Sequence, residues 1–391
     1  MSLYLAGIIL PVTEDIEPEP TVNLIPPIRL NASADDFAQL SMVYTWVNGS
    51  DSSHQTLKES LGGNRRLTMD DRNIDELLFS LRSVDQNLPW FKGEIYIVSP
   101  PGHIPSWLNT SHPRIHMVDQ NTLLPFDAIP TCNSFLIEFY LDQIVGLTET
   151  FIYMNDDFFF ARPVSASRFF DDQVQTNWGV GAKMYPASPG RPTFSRRDAE
   201  RLARVLDRKA RQVGGANDRF HLPIWRASDA WTRAVCTEKF RTGTAPLRHF
   251  PYVWHKQLLS WARNVVYSDL QRMFDHKFRN QRDLQAPSLL YGAYHHLEEN
   301  YGVTLFSEVA YEESALFTAG GGCYDNKIIR DKEFEWLRHG DFEMFNLNTD
   351  YSRAPSGEAC RDFLEDWFGS SSSFEWKEDD ISLSASEMVS V

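Results

Sequence analysis

The sequence predicts an α/β fold, Rossmann-like, with a mostly parallel sheet flanked by helices and a helical insertion. Three observations carry that prediction. Short apolar, β-prone runs alternate with segments whose apolar residues recur at helical spacing, the pattern of parallel strands joined by crossover helices. One such run, Phe151-Ile152-Tyr153-Met154, leads into Asn155-Asp156-Asp157 and then three phenylalanines. That places two adjacent carboxylates at a strand's C-terminal end, where open α/β sheets bind ligands. The chain is also large enough for one large or two medium cores, with 391 residues, 42% of them hydrophobic.

Taken in order, residues 1–40 are rich in proline and acids up to Pro27 and read as a leader or linker. Met42 to Val47 reads as a strand that runs into the turn Asn48-Gly49-Ser50-Asp51. Asp71 to Leu88 reads as a helix, because Ile74, Leu77, Leu78, Leu81 and Val84 fall on one face. A strand over Glu94–Ser99, a short strand over Ile115–Val118, a helix over Ser134–Val145 and the Phe151 strand follow. The segment of about 165–248 breaks the alternation and reads as an insertion or lid carrying a basic helix. Helices are expected near 255–275 and 286–300, a last strand over Glu343–Leu347 and a last helix over Gly357–Phe368. A catalytic domain over 41–376 then ends in an acidic tail, 377–391, that reads as disordered.

A formal charge of −15 argues against nonspecific nucleic-acid binding, which depends on neutralising phosphates. Any anionic substrate must therefore meet its positive charge locally. The four cysteines show no CxxC spacing and no zinc pattern, and they leave zero, one or two disulfides open. Asn31, Asn48 and Asn109 begin N-x-[ST] sequons, which permit a secretory reading. The apolar start, Leu3 to Val12, is too short to span a bilayer.

The acid pair sets the chemistry. Two buried carboxylates repel each other unless a cation or strong hydrogen bonds compensate. Mg²⁺ or Mn²⁺ holding a phosphate-bearing substrate is the economical compensation, since both favour carboxylate oxygens together with substrate phosphates. The alternative is a strand end followed by an acidic turn. The Asn48-Gly49 turn could bring backbone N–H groups close to a ligand, or could be a turn and nothing more. His249 and His255 flank Pro251, and either could be a general base or a satisfied structural histidine. Arg279, Arg282 and Asp283 precede a helix, where arginine could grip phosphate bidentately. Arg197, Arg201, Arg204, Arg208 and Arg211 share one helical stripe, a landing strip for an acidic glycan or a lipid surface, or else a solvated face.

Together these segments resemble the Stealth family of sugar-1-phosphate transferases, which includes bacterial capsule enzymes, the lysosomal-enzyme GlcNAc-1-phosphotransferase and fungal xylosylphosphotransferases. Tyr44-Thr45-Trp46-Val47-Asn48-Gly49-Ser50-Asp51 looks like its first conserved region. Asp75-Glu76-Leu77, Ser80-Leu81-Arg82-Ser83, Pro89-Trp90, Ile104-Pro105-Ser106-Trp107-Leu108 and Pro130-Thr131-Cys132-Asn133-Ser134, closing with the strand ending in Asp156-Asp157, look like the second. His249-Phe250-Pro251 through Arg279 and Asp283 resembles the third. Phe345-Asn346-Leu347-Asn348-Thr349-Asp350 resembles the fourth, with Asn-Thr-Asp where an Asn-Asp-Asp-like run is common. The large spacer modules of the animal enzyme are absent, which favours a compact glycan-modifying enzyme nearer the fungal type.

The resemblance implies transfer of a sugar-1-phosphate from a UDP-sugar to a hydroxyl of a glycan or glycoprotein acceptor, with release of UMP. It implies His249 as the base, Arg279 on the phosphate oxygens, Asp283 orienting that arginine, and Asp157 at the reacting centre. Mg²⁺ or Mn²⁺ would be held by Asp156 and Asp157 with Asp350 in support. Trp46, Asn48, Gly49 and Asp51 would line the nucleotide, and Arg82, Asn133 and Ser134 the sugar. A metal-dependent glycosyltransferase releasing UDP is the alternative, and a glycan-binding module without catalysis a third. The expected setting is the Golgi lumen, with possible membrane proximity, or the cytoplasm if the protein is bacterial.

Overall fold

The structure, a computed structural model, describes residues 37–63, 73–176, 179–212, 221–348, 351 and 353–377. Nearly all of the expected leader, Asp350 and the expected acidic tail lie outside the described residues.

The main sheet has the order β3-β2-β1-β4-β8. Its strands are β1 (Ser41–Thr45), β2 (Ile95–Ser99), β3 (Ile115–Asp119), β4 (Thr150–Asn155) and β8 (Tyr252–His255). β1 to β4 are parallel, whereas β8 runs antiparallel along β4. Phe151, Ile152, Tyr153 and Met154 are each at most 1% exposed, so β4 is covered on both faces, as its unbroken apolar run requires. Because β1 lies between β2 and β4, the chain reverses direction across the sheet at the β1–β4 boundary, and a crevice opens beyond those strand ends. Thr45 pairs with Asn155, so Trp46 and Asp156 are the first residues past the paired ends.

Helix α1 (Ser52–Ser60) follows the first turn, and α2 (Glu76–Asn87) packs beneath the acid pair. Ser80 Oγ donates to the Phe158 carbonyl at 2.6 Å and lies 2.9 Å from Tyr44 Oη, tying α2 to both strands beside the crevice. The expected helix over Ser134–Val145 is instead a short α3 (Ser134–Glu138) and a separate 3₁₀ turn, Leu141–Gln143. Phe135 through Asp142 are all buried, so this segment is enclosed on every side and has no need of a single helical stripe.

After the acid pair, β5 (Phe158–Phe160) leaves the main sheet and joins β10 (Thr318–Gly322) and β11 (Met344–Asn348) in the order β10-β11-β5. That sheet has its own core with Phe159, Phe345 and Phe368, and a Cys323–Cys360 disulfide links it to α11 (Ala354–Phe368). The segment 165–248 holds β6 (Phe170–Thr176), β7 (Gly179–Met184), α4 (Arg196–Gln212) and α5 (His221–Lys239). It is sewn to the rest, since β7 pairs with β9 (Phe306–Glu308) and the Phe170 ring stacks on Phe37 at 4.8 Å. Helices α6 (Lys256–Val265), α7 (Tyr267–Gln271), α8 (Ala286–Tyr301), α9 (Tyr311–Phe317) and α10 (Lys327–His339) complete the described elements.

Candidate active site

Four acids, one histidine and one arginine meet beyond the β4 end. β4 delivers Asn155, Asp156 and Asp157; α2 delivers Glu76 at its first turn, and α3 delivers Glu138 at its last. Burial raises the pKa of Asp156 to about 7, with Asp157 adding repulsion. Burial likewise raises Asp157 to about 7, while Arg279 and a hydrogen bond from Asn346 oppose the rise. Glu76 is raised to about 8 by burial and by the Asp156 charge, although it accepts the Ile74 N–H at 2.9 Å. Glu138 is raised to about 7 by burial, against the pull of Arg279 and a hydrogen bond with Tyr153.

His249 stands across from the acids on the segment entering β8. Its ring meets Phe158 edge-on at 4.7 Å, and Nδ1 lies 3.9 Å from Asp157 Oδ2. Tyr153 donates its hydroxyl proton to Asn155 Oδ1 at 2.8 Å, which turns Asn155 Nδ2 toward His249 Nε2 at 3.0 Å. The amide donates, so Nε2 carries a lone pair and the proton sits on Nδ1, facing Asp157. The cleft leaves 44% of the His249 side chain reachable, yet desolvation by the surrounding protein and then the Arg279 charge hold its pKa below the ordinary 6.5. His255, its rival in the sequence, is fully buried, with Nε2 on the Val180 carbonyl and Nδ1 on Tyr294 Oη, both at 2.8 Å. It is a structural residue.

Arg279 reaches the cleft from the loop after α7. Its Nε donates to Ser134 Oγ at 2.9 Å and its guanidinium rests 4.9 Å from the centre of the Phe135 ring. Those contacts orient the fork while leaving its terminal nitrogens without hydrogen bonds among the described residues. Asp283 does not touch Arg279. Fully buried, it accepts from His276 Nδ1 at 2.6 Å, Asn133 Nδ2 at 2.8 Å and Asn280 N at 2.7 Å, fastening the loop that carries the arginine to the start of α3. The expected orienting of Arg279 by Asp283 can therefore act only through the loop, with no direct contact between the two side chains. Asn133 belongs to the same anchor, with its Oδ1 buried and unpartnered.

Other expected ligand groups are already committed within the protein. Arg82 is buried, makes a bidentate pair with Glu375 at 2.9 and 2.8 Å and donates to the Phe368 carbonyl at 3.1 Å. It clamps α2 to the C-terminal segment and has no fork left for a sugar. Asp51 is the N-cap of α1, accepting from Ser53 N at 2.8 Å and His54 N at 3.2 Å, with His103 Nε2 3.4 Å away. Asn48 Oδ1 accepts from Ser50 N and Oγ at 3.1 and 2.8 Å, the Gly49 carbonyl accepts from Gln55, and Trp46 is 9% exposed within the main core. Asn48 and Asp51 spend side-chain oxygens and Gly49 its carbonyl within the turn at the crevice edge, while Trp46 packs into the main core.

The donor set agrees with a divalent cation in one respect: Asp157 Oδ1 is buried with no hydrogen-bond partner, beside Asp156. Among the described residues no group of three or more acids, histidines or cysteines is arranged to enclose an ion. Asp350 lies outside them. The strand-end acids and His249 were the legible part of this site. Glu76, Glu138, Asn155 and Asn346 were missed as site residues, though a lone acid inside Phe135-Leu136-Ile137-Glu138-Phe139-Tyr140 was a readable signal.

Residues 70–178 match the family described as Stealth protein CR2, conserved region 2. An exopolysaccharide phosphotransferase of Streptomyces coelicolor is 30% identical over 260 residues, covering 65% of this chain and 39% of that protein. An exopolysaccharide phosphotransferase of Nocardia farcinica is 28% identical over 316 residues, covering 78% of this chain and 55% of that protein. The chain thus spans between 39% and 55% of the length of these two relatives. Both are bacterial, which leaves the Golgi expectation without support. A galactosyltransferase solved with donor and acceptor sugar analogues aligns at a TM-score of 0.38 and 8% identity, covering 87% of this chain and 98% of its own. No helix among the described residues is long and apolar enough to cross a membrane.

Proposed function

The chain belongs to the Stealth family, and on that premise we propose that it transfers a sugar-1-phosphate from a UDP-sugar to a glycan hydroxyl, releasing UMP. The observation that carries this reading is the meeting of His249, Arg279 and the Asp156–Asp157 pair in one crevice at the switch point of the sheet. The two bacterial relatives, both exopolysaccharide phosphotransferases, support the reaction class.

The acceptor hydroxyl replaces the Asn155 amide at His249 Nε2 and gives its proton to that lone pair. Its oxygen forms a bond to the β-phosphorus while the bond from that phosphorus to the bridging oxygen breaks and UMP departs with the electron pair. Because surrounding groups depress the His249 pKa, the ring is neutral and able to accept a proton at neutral pH. The free fork of Arg279 pairs with the phosphate oxygens as charge gathers there. Asp156 and Asp157, once ionised, would repel a diphosphate, so Mg²⁺ or Mn²⁺ held by them, with Asp350 as a further ligand, would supply the compensating charge when bound. Glu138 and Asn346 face the same space and steady Tyr153 and Asp157. The bacterial relatives favour the cytoplasmic alternative over the Golgi.

The test is incubation with a panel of UDP-sugars, a glycan acceptor and Mn²⁺, followed by identification of the nucleotide released. UMP accompanied by a phosphodiester in the product supports the proposal. UDP without phosphorus in the product makes the protein a glycosyltransferase and overturns it.

A further inference from the structure

A row of guanidinium groups lies beside the crevice, outside everything the transfer chemistry uses. α4 carries Arg197, Arg201, Arg204 and Arg208 at spacings of four, three and four, and all four are exposed. Arg197, Arg201 and Arg208 have no ion-pair partner among the described residues, and Arg204 reaches Glu200 only at 3.9 Å. Of the acids of the helix, Asp198 accepts from Ser195 Oγ at 2.6 Å and lends Arg197 and Arg201 some of its charge, whereas Glu200 pairs with Arg282 at 3.1 Å and Asp207 accepts from Gln281. Arg196 faces inward to Asp269 and Glu238 and anchors the helix. The four outer arginines repel one another with relief, among the described residues, only from Asp198 and from Glu200 at 3.9 Å, in a chain of net charge −15.

Their position ties them to the site. Gln281 and Arg282, which hold the acidic side of α4, are two and three residues from Arg279 on the same loop. From Arg197 to Arg208 the helix rises about 16 Å, giving one cation roughly every 5 Å along a line flanked by the Arg282–Glu200 and Gln281–Asp207 contacts of the catalytic loop. The exposed described positions of α4 are Arg197, Asp198, Arg201, Arg204 and Arg208, with no apolar side chain among them to enter a bilayer. A solvated polyanion fits such a row better than a lipid surface.

We propose that this row holds the phosphodiester backbone of an acceptor chain that already carries the linkage made in the crevice. The identity of that polymer rests on the transfer reading. Each transfer leaves one phosphodiester and one negative charge on the acceptor, so an acceptor that has reacted repeatedly becomes a polyanion. Guanidinium forks pair with phosphate oxygens and gain nothing from a neutral glycan. The row therefore gives the protein a preference for acceptors bearing its own product.

The experiment measures binding directly, using a fluorescently labelled synthetic oligosaccharide joined by phosphodiesters. A neutral oligosaccharide of equal length and phosphatidylglycerol vesicles are the comparisons. The Arg201→Gln/Arg204→Gln/Arg208→Gln protein, checked for unchanged circular dichroism and Tm, should bind the charged oligomer at least about tenfold more weakly. Its slope of log Kd against log salt should flatten by about two, as expected for three lost phosphate contacts on a single-stranded polyanion. UDP binding should be unchanged. Equal oligomer binding by both proteins, or no preference for charged over neutral oligomer, overturns the proposal. Vesicle binding that falls in the variant while oligomer binding holds also overturns it, in favour of a lipid surface. UMP release is scored separately on the unsubstituted protein. Its absence with every donor, alongside arginine-dependent oligomer binding, removes the transfer reading and leaves the polyanion surface standing.

Discussion

Asn155 Nδ2 lies 3.0 Å from His249 Nε2, and the Tyr153 hydroxyl on Asn155 Oδ1 fixes which end of that amide faces the ring. The amide keeps Nε2 unprotonated and offers no negative charge to stabilise an imidazolium. Asn155→Asp would place a carboxylate there and raise the His249 pKa. The acid limb of a kcat/KM profile should then move to higher pH by about one unit or more, since a neighbouring opposite charge shifts a pKa by that order. An unmoved limb in a folded Asn155→Asp protein would mean that His249 does not set the profile.

The two histidines should separate cleanly. His249→Ala should lower kcat by about 10²–10⁴ with little change in donor affinity, the usual range for a lost general base. His255→Ala leaves the Val180 carbonyl and the Tyr294 hydroxyl unpartnered in the core, so its cost is stability, on the order of 1–3 kcal/mol for each buried group. Thermal melts and kinetics on both proteins check this. A stable His255→Ala protein with a selective loss of kcat would reverse the assignment.

Arg279 reaches the crevice with Nε held by Ser134 and its terminal nitrogens free among the described residues. Arg279→Lys keeps the charge and loses the planar fork, so kcat/KM should fall by about tenfold to a hundredfold, or 1.4–2.7 kcal/mol of transition-state stabilisation. Ser134→Ala removes one hydrogen bond, worth about 0.5–1.5 kcal/mol, and should cost no more than about tenfold. Steady-state kinetics on the two proteins give the ranking. Near-normal activity in the lysine protein would reduce Arg279 to a general positive charge.

Arg82 behaves differently from what its place in a conserved-looking segment suggests. Arg82→Met leaves the Glu375 carboxylate, 10% exposed, without its bidentate partner, and breaking such a pair costs about 3–5 kcal/mol. Tm should drop by several degrees while the donor KM of the folded fraction stays unchanged. A raised donor KM with an unchanged Tm would restore the sugar-binding role.

What could be read in the chain was what local pattern determines. Phe151 to Met154 form the buried strand their apolar run predicts, and Asp156 and Asp157 follow its end. Arg82 was misread because its partner, Glu375, is 293 residues away, a distance no local pattern spans. The N-cap role of Asp51 had a local signal that the ligand reading passed over: an Asp before Ser52-Ser53-His54 is a ready N-cap. Glu138 and Glu76 are acids inside apolar helices. Their approach to Asp156, Asp157 and Arg279 exists only once α2 and α3 pack against β4.

The four acids of the crevice make stability depend on pH in a direction that can be worked out. Glu76, Asp156, Asp157 and Glu138 have folded pKa values raised to between about 7 and about 8, chiefly by burial, against ordinary carboxylate values of 3.8 to 4.5. Between those limits the folded protein binds more protons than the unfolded chain, so its stability falls as pH rises from about 4 to about 8. Asp156→Asn removes one of the repelling charges. It should raise the Tm of the metal-free protein at pH 8 by about 2 °C or more, with little effect at pH 4, where the native acid is already protonated. Mn²⁺ should raise the Tm of the unsubstituted protein at pH 8, because a ligand of the folded state stabilises it, and should do so less for Asp156→Asn. Thermal melts across pH 4 to 8, with EDTA and with Mn²⁺, measure all of this. A Tm that climbs steadily with pH in the unsubstituted protein would show that other groups govern its pH dependence, and equal Mn²⁺ shifts in the two proteins would remove Asp156 from the cation site.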